Sequence, residues 1–373
     1  MLGNPEQLEE TYHQCLGAES LFERKAVLFI PSESYDAPTI TVIEGLSQLG
    51  FKIFTIRKGN INSWFCNQVI TDPTKLHFDF VLSNLHWGTR WDYYADFDLW
   101  DYPLVLIDGD DFGNLNWRQK HQLYSMHQYA PAPDESVMAK PLQPYRWMMP
   151  LGDYEPDVVF TSQKVAQDGR YLPFGIQKIQ EVLGTKGNGR TIDFTNIGAK
   201  FGDSRHALTD FLDDDVLPGK VFNGFAKGSQ LVPTRISNRV RYEDKNGNVH
   251  SWFRWKNYDE YWRVLNDSKV LIYPGVWLDR PQWDSKRPWE ALAAGCLLML
   301  ERPNIDISEY PLTGLNDWCV YDDYGELVEK CQYLYRNPDK MDTWRKESVE
   351  LGQRCFSPMA MARYFLRGIA DEL

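Results

Sequence analysis

The sequence has no run of 18 or more apolar residues, so nothing in it reads as a membrane-spanning helix. It has little cysteine. Cys15, Cys66, Cys296, Cys319, Cys331 and Cys355 are scattered, with no C-x-x-C pair and no metal-ligand spacing. That excludes a zinc ribbon and a disulfide framework. The opening MLGNPEQLEETYHQC lacks the basic start and apolar core of a secretion signal, so a reduced, cytoplasmic protein is expected. Positive charge is in deficit. Lys and Arg number 40 against 52 Asp and Glu, a formal net charge of −12. This acidity disfavours DNA as a partner, because phosphate backbones are held by clustered cations. A local basic cleft remains compatible with it.

What is present is length, apolar content and aromatics. At 373 residues the chain exceeds one ordinary core and predicts two domains. Hydrophobic residues make up 43%, enough to fill both cores, and 14 tryptophans stand out. Flat rings fill cores and also stack on sugars and bases.

Strand and helix signals alternate along the chain. KAVLFIP (25–31), FKIFTIR (51–57), FDFVLSN (78–84), YPLVLIDG (102–109) and DVVFTS (157–162) read as strands. APTITVIEGLSQLG (37–50) has helical spacing and stops at Gly50. The glycine-rich GTKGNGR (184–190) reads as a loop or linker end, and the pattern then restarts. TIDFTNIGA, KVFNGFA, KVLIYPG and CLLMLE are strands; DSRHALTDFLDD, YDEYWRVLNDS and PWEALAAG are helices. RVRYEDKNGNVHSWFRW (239–255) predicts a hairpin about DKNG. The helical tail breaks at Asn337-Pro338 and ends in an amphipathic helix, 357–373. Such alternation predicts an α/β chain of two doubly wound, Rossmann-like domains.

The stretch KRPWEALAAG (286–295) sits between two strand signals. Pro288 suits a first helical turn, where a missing N–H costs nothing. Lys286 and Arg287 beside a helix amino end would make an anion site fit for a diphosphate. Glu290, placed by this reading in the first turn, could accept two vicinal hydroxyls, as on a ribose. It could equally stabilise the helix start with no ligand at all.

SKRPWEALAAGCLLMLERP resembles the donor-site signature of group 1 nucleotide-sugar glycosyltransferases of the GT-B fold, and is most similar to the spore-maturation-type branch. The resemblance is carried by Arg287, Glu290 and Gly295. DVVFTSQKVAQDGRYLPFGIQ resembles the end of the first domain, with Pro173 and Gly175 at the crossover. FTNIGAKFGDSRHALTDFL resembles the start of the donor domain, and YWRVLNDSKVLIYPG the helix and strand before the signature. The resemblance spans roughly 155–365.

It implies an acceptor domain at 1–175, a donor domain at 176–356 and a closing helix at 357–373 returning to the first domain, the two domains facing a cleft. It implies donor-site roles for Gly198, Lys200, Arg205, Tyr273, Trp283, Asp284, Lys286, Arg287 and Glu290. Many members carry a second glutamate eight residues before the first; Gln282 stands there, with Asp284 nearby. Retention or inversion at the sugar is left open by that departure.

IDGDDFG (107–113) ends a strand. Asp108, Asp110 or Asp111 could take a proton from an acceptor hydroxyl, or merely form a solvated turn. His86, after another strand, is a further candidate base or a structural histidine. No metal ligand set and no cofactor is expected; the co-substrate is a nucleotide-sugar, foremost a UDP-sugar. The acceptor stays open among glycan, protein, small molecule and modified base. The rival readings are a glycosyltransferase acting on modified DNA bases, a nucleotide-sugar epimerase and an inactive scaffold of the same fold.

Overall fold

The computed structural model describes residues 5–30, 37–56, 68–84, 98–99, 101–109, 155–162, 169–176, 189–199, 203–227, 230–236, 258–274, 286–302 and 317–373. Among these the helices are α1 (Pro5–Gln14), α2 (Ala37–Gln48), α3 (Asp203–Leu212), α4 (Tyr258–Asp267), α5 (Lys286–Ala294), α6 (Tyr324–Arg336), α7 (Pro338–Phe356) and α8 (Pro358–Glu372). The chain divides into two compact units. One holds Tyr12–Gly175 with Ser357–Leu373; the other holds Met1–Thr11 with Ile176–Phe356.

The first unit contains β1 (Ala26–Ile30), β2 (Lys52–Thr55), β3 (Gln68–Val69), β4 (Phe80–Asn84), β5 (Leu104–Asp108), β6 (Val158–Thr161) and β7 (Arg170–Tyr171). They pair in the order β3-β2-β1-β4-β5-β6-β7, parallel throughout. β1, β4 and β5 are buried at every position, as strands covered on both faces must be. Gly50, at φ +88°, ends α2 and turns the chain into β2, a conformation that favours glycine. One face gathers Leu28, Val81 and Leu106 with Phe54 and Phe78. On the other, Phe80 and Phe160 meet Phe365 of α8 at ring distances of 6.0 and 4.6 Å. α8 is pinned further: Tyr364 Oη donates to the carbonyl of Tyr171 at 2.9 Å, and Arg170 Nη1 to that of Gly368 at 3.1 Å.

The second unit contains β8 (Ile192–Ala199), β9 (Val221–Lys227), β10 (Gln230–Ile236), β11 (Ser268–Tyr273), β12 (Leu297–Glu301) and β13 (Val320–Tyr321). Their order is β10-β9-β8-β11-β12-β13, parallel except for the antiparallel pair β9–β10. β10 is absent from the sequence reading because Pro233 argues against a strand. It is an edge strand whose register shifts between Pro233 and Arg235, which is where a proline is tolerated. The hairpin predicted at 239–255 lies outside the described residues. No described helix is long and apolar enough to cross a membrane.

Candidate active site

In the second sheet the order reverses at β8 and β11, which lie side by side. The chain leaves β8 through α3 toward β9, and leaves β11 through α5 toward β12. Open α/β sheets bind ligands at the carboxyl ends of the strands at such a reversal. β8 ends there at Gly198–Ala199 and β11 at Tyr273; α3 begins at Asp203, soon after β8, and α5 ends at Ala294, directly before β12. Both helices therefore start at this edge, where unpaired N–H groups favour anions.

α5 starts at Lys286, two residues before the proline. Glu290 is thus its fifth residue, one turn in, and not in the first turn as the sequence reading had it. Pro288 is no obstacle to the earlier start, because the first four N–H groups of a helix have no intrahelical partner. Glu290 is 3% exposed, and Arg287 is partly exposed. Trp289 fills core, tilted against Phe356 of α7 at a ring distance of 4.9 Å. Ala291, Ala293 and Ala294 are buried, so small side chains let α5 sit close among its neighbours. α7 approaches at Gly352, where an added Cβ would lie 3.4 Å from Leu292 Cδ1.

α3 is tied to the sheet by a buried amide pair that sequence reasoning missed. Asn196 Nδ2 donates to Asn223 Oδ1 at 2.8 Å and to Thr209 Oγ1 at 3.3 Å. Asn223 Nδ2 donates to the carbonyl of Thr209 at 2.8 Å and to Asp213 Oδ1 at 2.9 Å. Asp213 therefore belongs to this network. Asp214 and Asp215 are exposed. Two asparagines at matching positions of neighbouring strands (Asn196 opposite Asn223) are the signal that could have found the pair.

Tyr273 closes β11 with its ring buried, and its carbonyl accepts from Tyr321 Oη at 3.4 Å. Burial pushes the Tyr321 phenol well up from its ordinary value, and Glu301 adds to the rise. Arg190, read in sequence only as part of a loop, is a second omission. Its guanidinium bonds the carbonyls at the ends of α4 and α5. Burial lowers its pKa, and burial likewise raises the adjacent Cys296 thiol to about 11.

Of the remaining donor candidates, Gly198 lies in β8 opposite Phe225, Arg205 in the first turn of α3 and Lys286 at the start of α5. Lys200, Trp283 and Asp284 lie outside the described residues. In the first unit Asp108 ends β5, fully buried, and its carbonyl accepts from the Ser162 N–H at 3.1 Å. Asn84 ends the neighbouring β4 and Ser162 follows β6 at the same edge, both fully buried. His86, Asp110 and Asp111 lie outside the described residues. Among the described residues no cluster of three His, Cys, Asp or Glu is placed to hold a metal.

Two mainly parallel, doubly wound sheets in one chain are the architecture of GT-B glycosyltransferases. The second unit adds a sequence match: residues 217–366 fit the family model described as glycosyl transferase-like. Fold and matched module are both those of glycosyltransferases. Among solved structures the chain is similar to Anabaena Alr3699/HepE in complex with UDP and glucose, at TM-score 0.54 and 10% identity over 93% of this chain and 99% of that one. It is also similar to the sucrose-phosphate synthase of Thermosynechococcus elongatus, at TM-score 0.51 and 14% identity over 93% and 98%. A third similar structure is the T4 phage beta-glucosyltransferase, at 0.50 and 10% over 92% and 98%. No curated protein sequence matches the chain.

Proposed function

We propose that this glycosyltransferase moves a sugar from a UDP-sugar to an acceptor hydroxyl, with the donor held by residues 176–356 and the acceptor by the first unit. The observation that carries the reading is α5, which starts at the reversal edge of the second sheet with Arg287 and Glu290 one turn apart. Arg287, with Lys286, Lys200 and Arg205, would neutralise the departing diphosphate, and Glu290 would hold the ribose. Such fixed positive charge lets a diphosphate leave without a metal. Asp108, at the carboxyl edge of the first sheet, is the described candidate for the acceptor's proton. The similarity to a structure holding UDP and glucose supports the choice of nucleotide and sugar class. Arg287 three residues before Glu290 supports the spore-maturation-type branch.

The test is incubation with UDP-, GDP- and dTDP-sugars and an acceptor panel that includes glycans and hydroxymethylated DNA. UDP released only with an acceptor supports transfer, and the acceptor that works names the substrate class. An isomerised sugar without acceptor would mean an epimerase. No nucleotide binding at all would leave a scaffold.

A further inference from the structure

We propose that Arg190 is a positioning residue for the donor site and acts through α5. The proposal rests on the reading that Arg287 and Glu290 bind the nucleotide. Arg190 works at the opposite end of that helix. Its Nη2 donates to the carbonyl of Ala294, the last residue of α5, at 2.5 Å. Its Nη1 donates to the carbonyls of Ser268 at 2.5 Å and Leu265 at 3.2 Å, where α4 ends and β11 begins. One planar guanidinium thus links the exits of two helices. The last carbonyls of a helix have no intrahelical partner and carry partial negative charge, so a half-buried cation meets both needs.

The chain path makes room for it. Gly295 turns out of α5 at φ +76°, and a Cβ there would come 2.8 Å from Arg190 Nη2. Arg345 of α7 adds a bond to the Gly295 carbonyl at 3.0 Å. Glu290 lies four residues before Ala294, about 6 Å along a rigid helix. An axial slip at the carbonyl end therefore reaches the buried Glu290 undiminished, whereas the long, partly exposed Arg287 side chain can adjust. Hydrogen bonds to a ligand tolerate only tenths of an ångström before weakening. Arginine is required because its fork reaches three carbonyls; lysine keeps the charge and loses the fork.

The experiment is calorimetric titration of UDP into wild type, Arg190→Gln, Arg190→Lys, Glu290→Ala and the double variant Arg190→Gln/Glu290→Ala. Leu334→Ala, a truncation of a fully buried side chain in α6, serves as a destabilised control. Arg190→Gln is expected to weaken UDP at least about tenfold, and Arg190→Lys less; should the glutamine variant fail to fold, the lysine variant carries the test. In the Glu290→Ala background the Arg190→Gln loss should shrink below about threefold, while Leu334→Ala should bind within about twofold of wild type. Wild-type affinity in folded Arg190→Gln or Arg190→Lys overturns the proposal. So does an additive loss in the double variant, or an equal loss in Leu334→Ala. Wild-type affinity in Glu290→Ala alone overturns the donor-site reading instead.

Discussion

Arg363 grips Glu19 in a two-point bond, Nε to Oε2 at 3.1 Å and Nη2 to Oε1 at 2.9 Å. Each side chain is only 18% exposed, and the pair ties α8 to the turn after α1. The bond to Arg363 holds the Glu19 carboxyl below its ordinary value. A carboxyl depressed on folding stabilises fully above its unfolded pKa, about 4.5, and that stability is lost as pH falls through the lower folded value. Glu19→Gln should therefore cost about 1–2 kcal/mol at pH 7. The gap to wild type should narrow progressively as pH falls below about 4.5. Urea melts at pH 7 and pH 3.5 check this; an equal gap at both would contradict it.

Gly45 of α2 marks the closest approach of α8. A methyl group there would overlap the backbone oxygen of Pro358 and stand 2.7 Å from Ala362 Cβ. Alanine normally improves a helix over glycine by about 1 kcal/mol. Here the backbone clash should reverse the sign, with a net loss of about 1–3 kcal/mol or more. Gly50→Ala, which meets nothing within 4 Å but sits at φ +88°, should lose only about 1 kcal/mol. Thermal melts that rank Gly45→Ala at or above Gly50→Ala in stability would refute the tight crossing.

Much of this architecture is legible in the sequence, because parallel strands buried on both faces write apolar runs. AVLFI, LVLID and LLMLE are such runs, and each is a strand of the sheets. KRPWEALAAG is legible as a helix start, yet its first residue is not, since proline tolerates three positions of a first turn alike. β10 is hidden by Pro233, because edge position and register shift are tertiary facts. Arg190 and the Asn196–Asn223 pair are hidden for a related reason. Their partners are carbonyls and amides far along the chain, and no local period reports a long-range polar bond.

The described cysteines Cys15, Cys296, Cys319, Cys331 and Cys355 are all free and buried. Burial pushes Cys296 and Cys355 to about 11, Cys319 to about 12, and Cys331 and Cys15 upward too. Reaction needs the thiolate and access, so at pH 8 these five should stay unlabelled in the native protein. Denatured protein should yield all six of the sequence's cysteines to Ellman's reagent. Rapid native labelling mapped by mass spectrometry to any of the five would show that its core opens readily.

Glu290→Ala should weaken UDP by about 1.5–3 kcal/mol, the range for hydrogen bonds to a charged group. UMP and UDP should lose equally, because the ribose is common to both. Arg287→Gln should instead penalise UDP more than UMP, since the second phosphate is what an arginine at the helix start would meet. Calorimetry with both nucleotides separates the two roles. Equal penalties for UMP and UDP in Arg287→Gln would move that side chain away from the diphosphate.

Turnover is expected to survive chelation. A divalent ion on a diphosphate needs several oxygen ligands converging on it. The residues assigned to the donor phosphates are cations instead: Lys200, Arg205, Lys286 and Arg287. Arg205 lies in the first turn of α3, and Lys286 and Arg287 open α5, where helix starts add partial positive charge. A metal placed among these groups would meet repulsion, whereas a departing diphosphate meets attraction. The acid-rich DGDD begins at the last residue of β5, in the other unit, on the acceptor side of the proposal. UDP release from UDP-glucose should therefore be the same, within about twofold, with and without excess EDTA. Asp108→Asn should lower it without creating a metal requirement. Activity lost to EDTA and restored by Mn²⁺ would overturn the cationic leaving-group assignment and turn attention to the DGDD carboxylates as metal ligands.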